Sequence, residues 1–201
     1  KGNRYRLLDV DRRRSGVFIG TGLGCISSSF QNYVPHLLAP LRGDLESPDF
    51  ATLQSEQQSV REELLEYLRE SPRVSQVASL KSMGSSISAA LSIRYGFTGP
   101  NQTTLGACAA GLMALCQGFE SIASGQLDLA LVGGSEYYGD RAGGVFMAFD
   151  RINTLTTGDC AGSPANCPFD ESRTGFLFSQ GAACVLVLEK LDQAIARGAP
   201  I

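Results

Sequence analysis

Short runs bounded by glycine alternate with longer segments of three-four apolar spacing, and this alternation constrains the fold more than any other feature. The short runs are Gly16-Val17-Phe18-Ile19-Gly20, Gln102 to Leu105, Leu127 to Val132 and Ala183 to Leu188. Each has the length of a strand, and three are apolar enough to be buried. Gly133-Gly134 is expected to stop the third of these. Helical spacing runs from about Ser79 to Arg94, through Leu80, Met83, Ile87, Ala90 and Leu91, and ends at Tyr95-Gly96-Phe97-Thr98-Gly99-Pro100. A further helix is predicted from about Cys108 to Ser124, with Gly125 in the place of a C-cap. Leu191 to Arg197 reads as a short last helix before Gly198. Strands and helices in this order predict an α/β layered domain with a mixed, mostly parallel sheet flanked by helices. The 201 residues suit one such domain.

Between about Phe30 and Pro72 the alternation gives way to a polar excursion. Pro35, Pro40 and Pro48 are expected to break its first half. Ser59 followed by Glu62 makes a capping-box signal, and behind it Val60, Leu64, Leu65 and Leu68 share one face of a surface helix. The basic opening (Lys1, Arg4, Arg6, Arg12, Arg13 and Arg14, relieved by Asp9 and Asp11) reads as a solvated approach to the first strand.

Charge and cysteine usage narrow the function. A formal net charge of −3 and a pI near 5.2 argue against a nucleic-acid binder. No apolar run approaches the roughly 20 residues of a membrane span, and the first residues lack the apolar core of a signal peptide. The six cysteines include no CxxC pair, and the single histidine, His36, is far from all of them but Cys25. No metal and no cofactor are expected from that spacing. Cys116 and Cys184 lie in apolar runs and read as small buried hydrophobes. Cys160 and Cys167 share one loop, but a reducing, cytoplasmic setting disfavours a disulfide between them.

Gly106-Ala107-Cys108-Ala109-Ala110-Gly111 is the most informative stretch chemically. It places a cysteine at the bend between a strand and an alanine-rich helix. A thiol there faces unpaired backbone N–H groups and the positive end of the helix dipole. That setting favours the thiolate, which is the form that attacks a thioester carbonyl. The small neighbours let a substrate approach the sulfur, and a nearby N–H supplies half of an oxyanion hole. The same local features also fit a cysteine simply packed at a helix start.

Gly99-Pro100-Asn101, Ala107-Cys108-Ala109 with Gly111, then Ile122, Gly125, Asp128 and Gly133-Gly134-Ser135-Glu136 resemble the active-site segment of β-ketoacyl-acyl-carrier-protein synthases. A second block is similar to a downstream stretch of the same family: Pro168-Phe169-Asp170, Arg173, Gly175-Phe176 and Gly181-Ala182, then Leu186 to Glu189 and Ala196 to Ala199. The resemblance implies a thiolase-like layered fold, with residues 1–201 covering most of the N-terminal domain. It fits the free-standing type of enzyme better than a modular one, because Cys108 is not followed by a serine-rich sequence. It further implies Cys108 as nucleophile, Phe146 and Phe149 along the acyl tunnel, and Arg151 facing the carrier. Acyl carrier protein, acyl and malonyl thioesters and a homodimer of the complete protein follow as expected partners.

The sequence departs from the family in several places. His36 matches neither of the two family histidines that polarise the malonyl thioester; these lie, with a supporting lysine, in the second half of the fold. This chain alone is therefore expected not to complete a condensation. Gln180 stands where an acidic residue is common, Cys167 stands where a basic one is usual, and the excursion is longer than expected.

Three other readings compete. Gly20-Thr21-Gly22-Leu23-Gly24 matches part of a dinucleotide fingerprint, but Cys25 occupies the position of the third glycine. A thiolase would share the fold but fits the second block poorly. A non-catalytic partner subunit or carrier-binding scaffold of the same fold would typically have replaced the nucleophile, whereas Cys108 is present.

Overall fold

The computed structural model describes residues 10–48, 55–70, 76–139, 143–158 and 167–201. Among these, strands β1 (Ser15–Thr21), β2 (Asn101–Leu105), β3 (Leu129–Tyr137) and β4 (Gly181–Glu189) form one sheet in the order β2-β1-β3-β4. β1 runs parallel to both β2 and β3, and β4 returns antiparallel beside β3. Helices α1 (Ile26–Leu45), α2 (Ser55–Glu70), α3 (Ala78–Lys81) and α4 (Ser85–Tyr95) connect β1 to β2. Next come α5 (Ala110–Ala123) between β2 and β3, α6 (Gly144–Arg151) between β3 and β4, and α7 (Leu191–Ala196) after β4. The mixed, mostly parallel sheet flanked by helices is thus the observed architecture.

β1 is buried along its whole length, as suits the central strand. Successive side chains of a strand point to opposite faces. Val17 and Ile19 accordingly pack with Phe97, Leu129 and Leu131 against Ile87 and Leu91 of α4. Phe18 enters the other cluster with Ala114 of α5, Leu127, Ala130 and Val132. Helices α4 and α5 therefore cover opposite faces of the sheet.

Glycine sets how closely α5 approaches. A Cβ on Gly20 would stand 2.1 Å from the Ala110 carbonyl carbon, and one on Gly118 would stand 2.2 Å from Val132 Cγ1. Gly111 faces Gly134 with nothing between the two backbones. Contrary to expectation, β3 passes straight through Gly133-Gly134. The missing side chains admit neighbours: a Cβ on Gly133 would lie 2.0 Å from the Cys184 carbonyl oxygen.

Other expectations shift locally. α1 continues through Pro35 and Pro40 instead of breaking there. It lies on the outside, where carbonyls deprived of a helical donor can be hydrated. α2 starts at Ser55, so Ser59 lies inside the helix rather than capping it. Leu65 and Leu68 are buried as expected, whereas Val60 is exposed. The helix predicted from Ser79 is interrupted between Lys81 and Ser85, giving α3 and α4. Cys167 is disulfide-bonded, while Cys160 lies outside the described residues. Cys116 and Cys184 are exposed rather than buried, because none of the described residues packs over the outer face of β4 or that side of α5.

Arg14 is more than a solvated charge. Its guanidinium donates to both carboxylate oxygens of Asp128, at 2.7 and 2.8 Å, and to the Gly125 carbonyl at 2.6 Å. Lys190 Nζ lies 2.7 Å from the same carboxylate. One carboxylate thereby joins the entrance of β1, the entrance of β3 and the exit of β4.

Two outcomes follow. Gly20→Ala must drive α5 off the sheet, costing about 3 kcal/mol in urea unfolding. The Arg14 hydrogen bonds, then that of Lys190, hold the Asp128 carboxyl well below the usual carboxylate range. A depressed folded pKa means the contribution is present above the unfolded value of about 3.9 and is lost as pH falls below it. Asp128→Asn should therefore lower the melting temperature at pH 7, and the gap to wild type should narrow below about pH 4.

Candidate active site

The parallel strands β1, β2 and β3 end at one edge of the sheet, and antiparallel β4 begins there. Loops at the carboxyl ends of parallel strands are where such sheets place ligands. A cleft of about 510 Å³ opens at this edge, lined by Thr21 to Leu23, Ala107, Cys108, Glu136, Tyr138, Phe149 and the start of β4.

Cys108 reaches the cleft through a tight bend. After β2, Ala107 adopts φ 47°, a left-handed conformation that side chains normally avoid. A single 3-10 turn, Ala107–Ala109, then leads directly into α5. The result is an exposed thiol at the rim where β2 becomes α5. Cys25 is placed differently. Its thiol is pushed up first by burial and then by the charge of Glu136, and it donates to the Met83 carbonyl at 3.4 Å.

Glu136, near the end of β3, organises the floor of the cleft. Its Oε2 accepts from the Thr21 hydroxyl at 2.9 Å, the Gly22 N–H at 2.5 Å and the Leu23 N–H at 3.0 Å. This ties the turn after β1 to the end of β3. The Tyr138 hydroxyl lies beside the same carboxylate, both facing Gly22. Burial, together with the charges of Glu136 and Cys108, pushes the phenol up to about 12. Its ring is stacked on Phe178 with centroids 6.0 Å apart, and also lies 6.0 Å from Phe149.

The expected site residues are distributed unevenly around this cleft. Cys108 and Phe149 both line it. Phe146 stands behind, edge-on to Phe178 at 5.2 Å. Arg151 is exposed at the end of α6. Cys184 lines the cleft as well. Gln180 contributes its carbonyl, which accepts the Tyr138 N–H at 2.6 Å. Among the described residues, no group of three or more His, Cys, Asp or Glu is placed to hold a metal.

Sequence reasoning missed the roles of Glu136, Tyr138 and Phe178. Glu136 was visible within Gly133-Gly134-Ser135-Glu136, but its partners lie 113 to 115 residues earlier in the chain. No local spacing signals a pairing at that separation.

Residues 4–194 match the family described as "Beta-ketoacyl synthase, N-terminal domain". The chain is 29% identical over 197 residues to the chloroplastic 3-oxoacyl-[acyl-carrier-protein] synthase I of Arabidopsis thaliana, covering 98% of this chain and 34% of that protein. It is 37% identical over 118 residues to a putative polyketide beta-ketoacyl synthase 1 of Streptomyces cyaneus, covering 58% of this chain and 27% of that one. Among solved structures, it resembles a type II PKS acyl-carrier protein in complex with its ketosynthase bound to the hexaketide, with TM-score 0.68 and 25% identity, covering 96% of this chain and 41% of that one. The ishigamide ketosynthase/chain length factor matches with TM-score 0.67 and 26% identity, covering 96% and 38%. The chain thus spans about a third of the length of the curated relative that it matches from end to end. Relatives include chloroplastic and mitochondrial proteins, so kinship alone does not imply the cytosol. Among the described residues, no helix is long and apolar enough to cross a membrane. The fold, the two matching sequence blocks and this family match lead to one conclusion: the chain belongs to the beta-ketoacyl synthase family and corresponds to its N-terminal domain.

Proposed function

We propose that this chain is the nucleophile-bearing part of a 3-oxoacyl-acyl-carrier-protein synthase acting in fatty-acid or polyketide synthesis. The observation that carries the reading is Cys108, exposed at the rim of a largely apolar cleft on a strained bend leading into α5. The Cys108 thiolate attacks the carbonyl of an acyl-carrier thioester, and a new C–S bond forms as the carrier thiol leaves with a proton. Malonyl-carrier then loses carbon dioxide, and the resulting carbanion attacks the Cys108 thioester. The new carbon–carbon bond displaces the cysteine as thiolate. Family histidines that assist this second step have no counterpart in the chain, whose single histidine is His36. On this reading residues 1–201 supply the acyl-accepting cysteine and do not by themselves complete a condensation.

Phe149 lines the acyl site in this scheme, Phe146 backs it through Phe178, and Arg151 meets the carrier. A similar ketosynthase solved in complex with its acyl-carrier protein supports that partner. Among the described residues β2 is an edge strand, which leaves its outer edge for the homodimer expected of the complete protein. A non-catalytic role like that of a chain length factor remains the second reading, favoured by the likeness to a ketosynthase/chain length factor pair. The presence of Cys108 weighs against it.

Intact-mass measurement of the full-length protein after incubation with acyl-carrier thioester tests the proposal. One acyl adduct is expected on wild type and none on Cys108→Ser, with β-keto product reduced by more than about 1000-fold. An adduct that survives in the Ser variant would remove Cys108 from its role.

A further inference from the structure

We propose, on the reading that Cys108 carries the acyl group, that Tyr138 is the specificity-determining residue of that site and confines it to short acyl groups, with Glu136 as its positioning residue. Half of the residues that line the cleft are glycine or alanine. Tyr138 and Phe149 of α6 are the aromatic exceptions, and their ring centroids lie 6.0 Å apart.

Tyr138 reaches across from the end of β3 to the turn after β1. A Cβ on Gly22 would stand 3.0 Å from its hydroxyl oxygen and 3.6 Å from the carbonyl of Ala107, the residue before the nucleophile. The phenol is also close enough to Cys108 to feel a charge on the sulfur. An acyl chain that leaves Cys108 in this direction meets the Tyr138 ring.

Several contacts prevent the ring from yielding. Its hydroxyl lies beside the Glu136 carboxylate, which is itself fixed by the three donors of Thr21, Gly22 and Leu23. Its backbone N–H is held by the Gln180 carbonyl. Behind the ring stands Phe178, backed by Phe146, and neither lines the cleft. Rotating Tyr138 away would break its stack on Phe178, and that loss opposes entry of a longer chain.

The test measures loading of Cys108 in the full-length protein by acetyl, hexanoyl and decanoyl thioesters of one carrier, read as mass adducts over time. Wild type should load acetyl at least about tenfold faster than decanoyl. Tyr138→Ala should raise the decanoyl-to-acetyl loading ratio by roughly tenfold. Tyr138→Leu, which keeps an apolar neighbour for Phe178, should relax the preference in the same direction and serves if the alanine variant does not fold. Tyr138→Phe retains the ring and should keep most of the discrimination. Glu136→Gln should shift the acetyl-to-decanoyl ratio toward that of Tyr138→Ala while acetyl loading persists, which a general loss of stability would not produce. Equal loading of all three lengths by wild type would overturn the proposal, as would an unchanged ratio in both the Ala and Leu variants; Cys108 would keep its role in either case. Absence of any adduct on wild type would instead sink the reading of Cys108 on which the proposal rests.

Discussion

The close backbone contact between α5 and the sheet is the constraint on which the rest of the structure depends. Gly20 and Gly134 present bare backbone to the first turn of α5, where Ala110 and Gly111 answer with nothing larger than a methyl group. Helices usually rest on sheets through interlocking side chains; here the N-terminal end of the helix sits directly on the strands. That closeness requires the sharp bend at Ala107, and the bend turns Cys108 outward at the sheet edge. A fold built for maximal stability would not keep a left-handed alanine beside an exposed thiol. Strain of this kind persists where the surroundings hold it in place and a function requires it.

A second constraint is electrostatic and works at both ends of β3. At the entrance, Asp128 gathers Arg14 and Lys190 and registers β1, β3 and β4. Near the exit, Glu136 gathers the donors of the turn after β1. The two carboxylates differ in what they satisfy: Asp128 pairs with cations, whereas Glu136 accepts from neutral N–H and O–H groups. The Glu136 end therefore keeps its negative charge uncancelled by any described cation. Burial, and after it that charge, pushes the Tyr138 phenol and the Cys25 thiol up. Cys108 differs from Cys25 in being exposed.

Much of this was legible in the chain itself. Each strand lies within a few residues of its glycine-bounded run, and the junction of β2 with α5 falls at the small-residue stretch around Cys108. The left-handed Gly125 closes α5 as its position suggested. Misreadings came from residues whose local preference yields to their surroundings. Pro35 and Pro40 ride within an outer helix, Gly133 and Gly134 sit inside a strand because neighbouring backbones need their space, and Ser59 is one turn into α2. Apolar alternation placed Cys184 and Val185 in a strand but could not say whether that strand's outer face would be covered.

The division between the two sources of information has a physical cause. Periodicity, glycine placement and the cysteine at a strand-to-helix junction are properties of neighbouring residues, so the sequence by itself determined the layered fold, the order of its elements and the place of Cys108 between β2 and α5. Glu136 meeting Thr21, Tyr138 stacking on Phe178, and Phe149 but not Phe146 reaching the cleft depend on which chain ends converge at the sheet edge. Those contacts join residues far apart in sequence whose types carry no pairing preference strong enough to be read in one dimension. Only the tertiary structure, by bringing the ends of β1, β2 and β3 together with the start of β4, decided the shape and lining of the site.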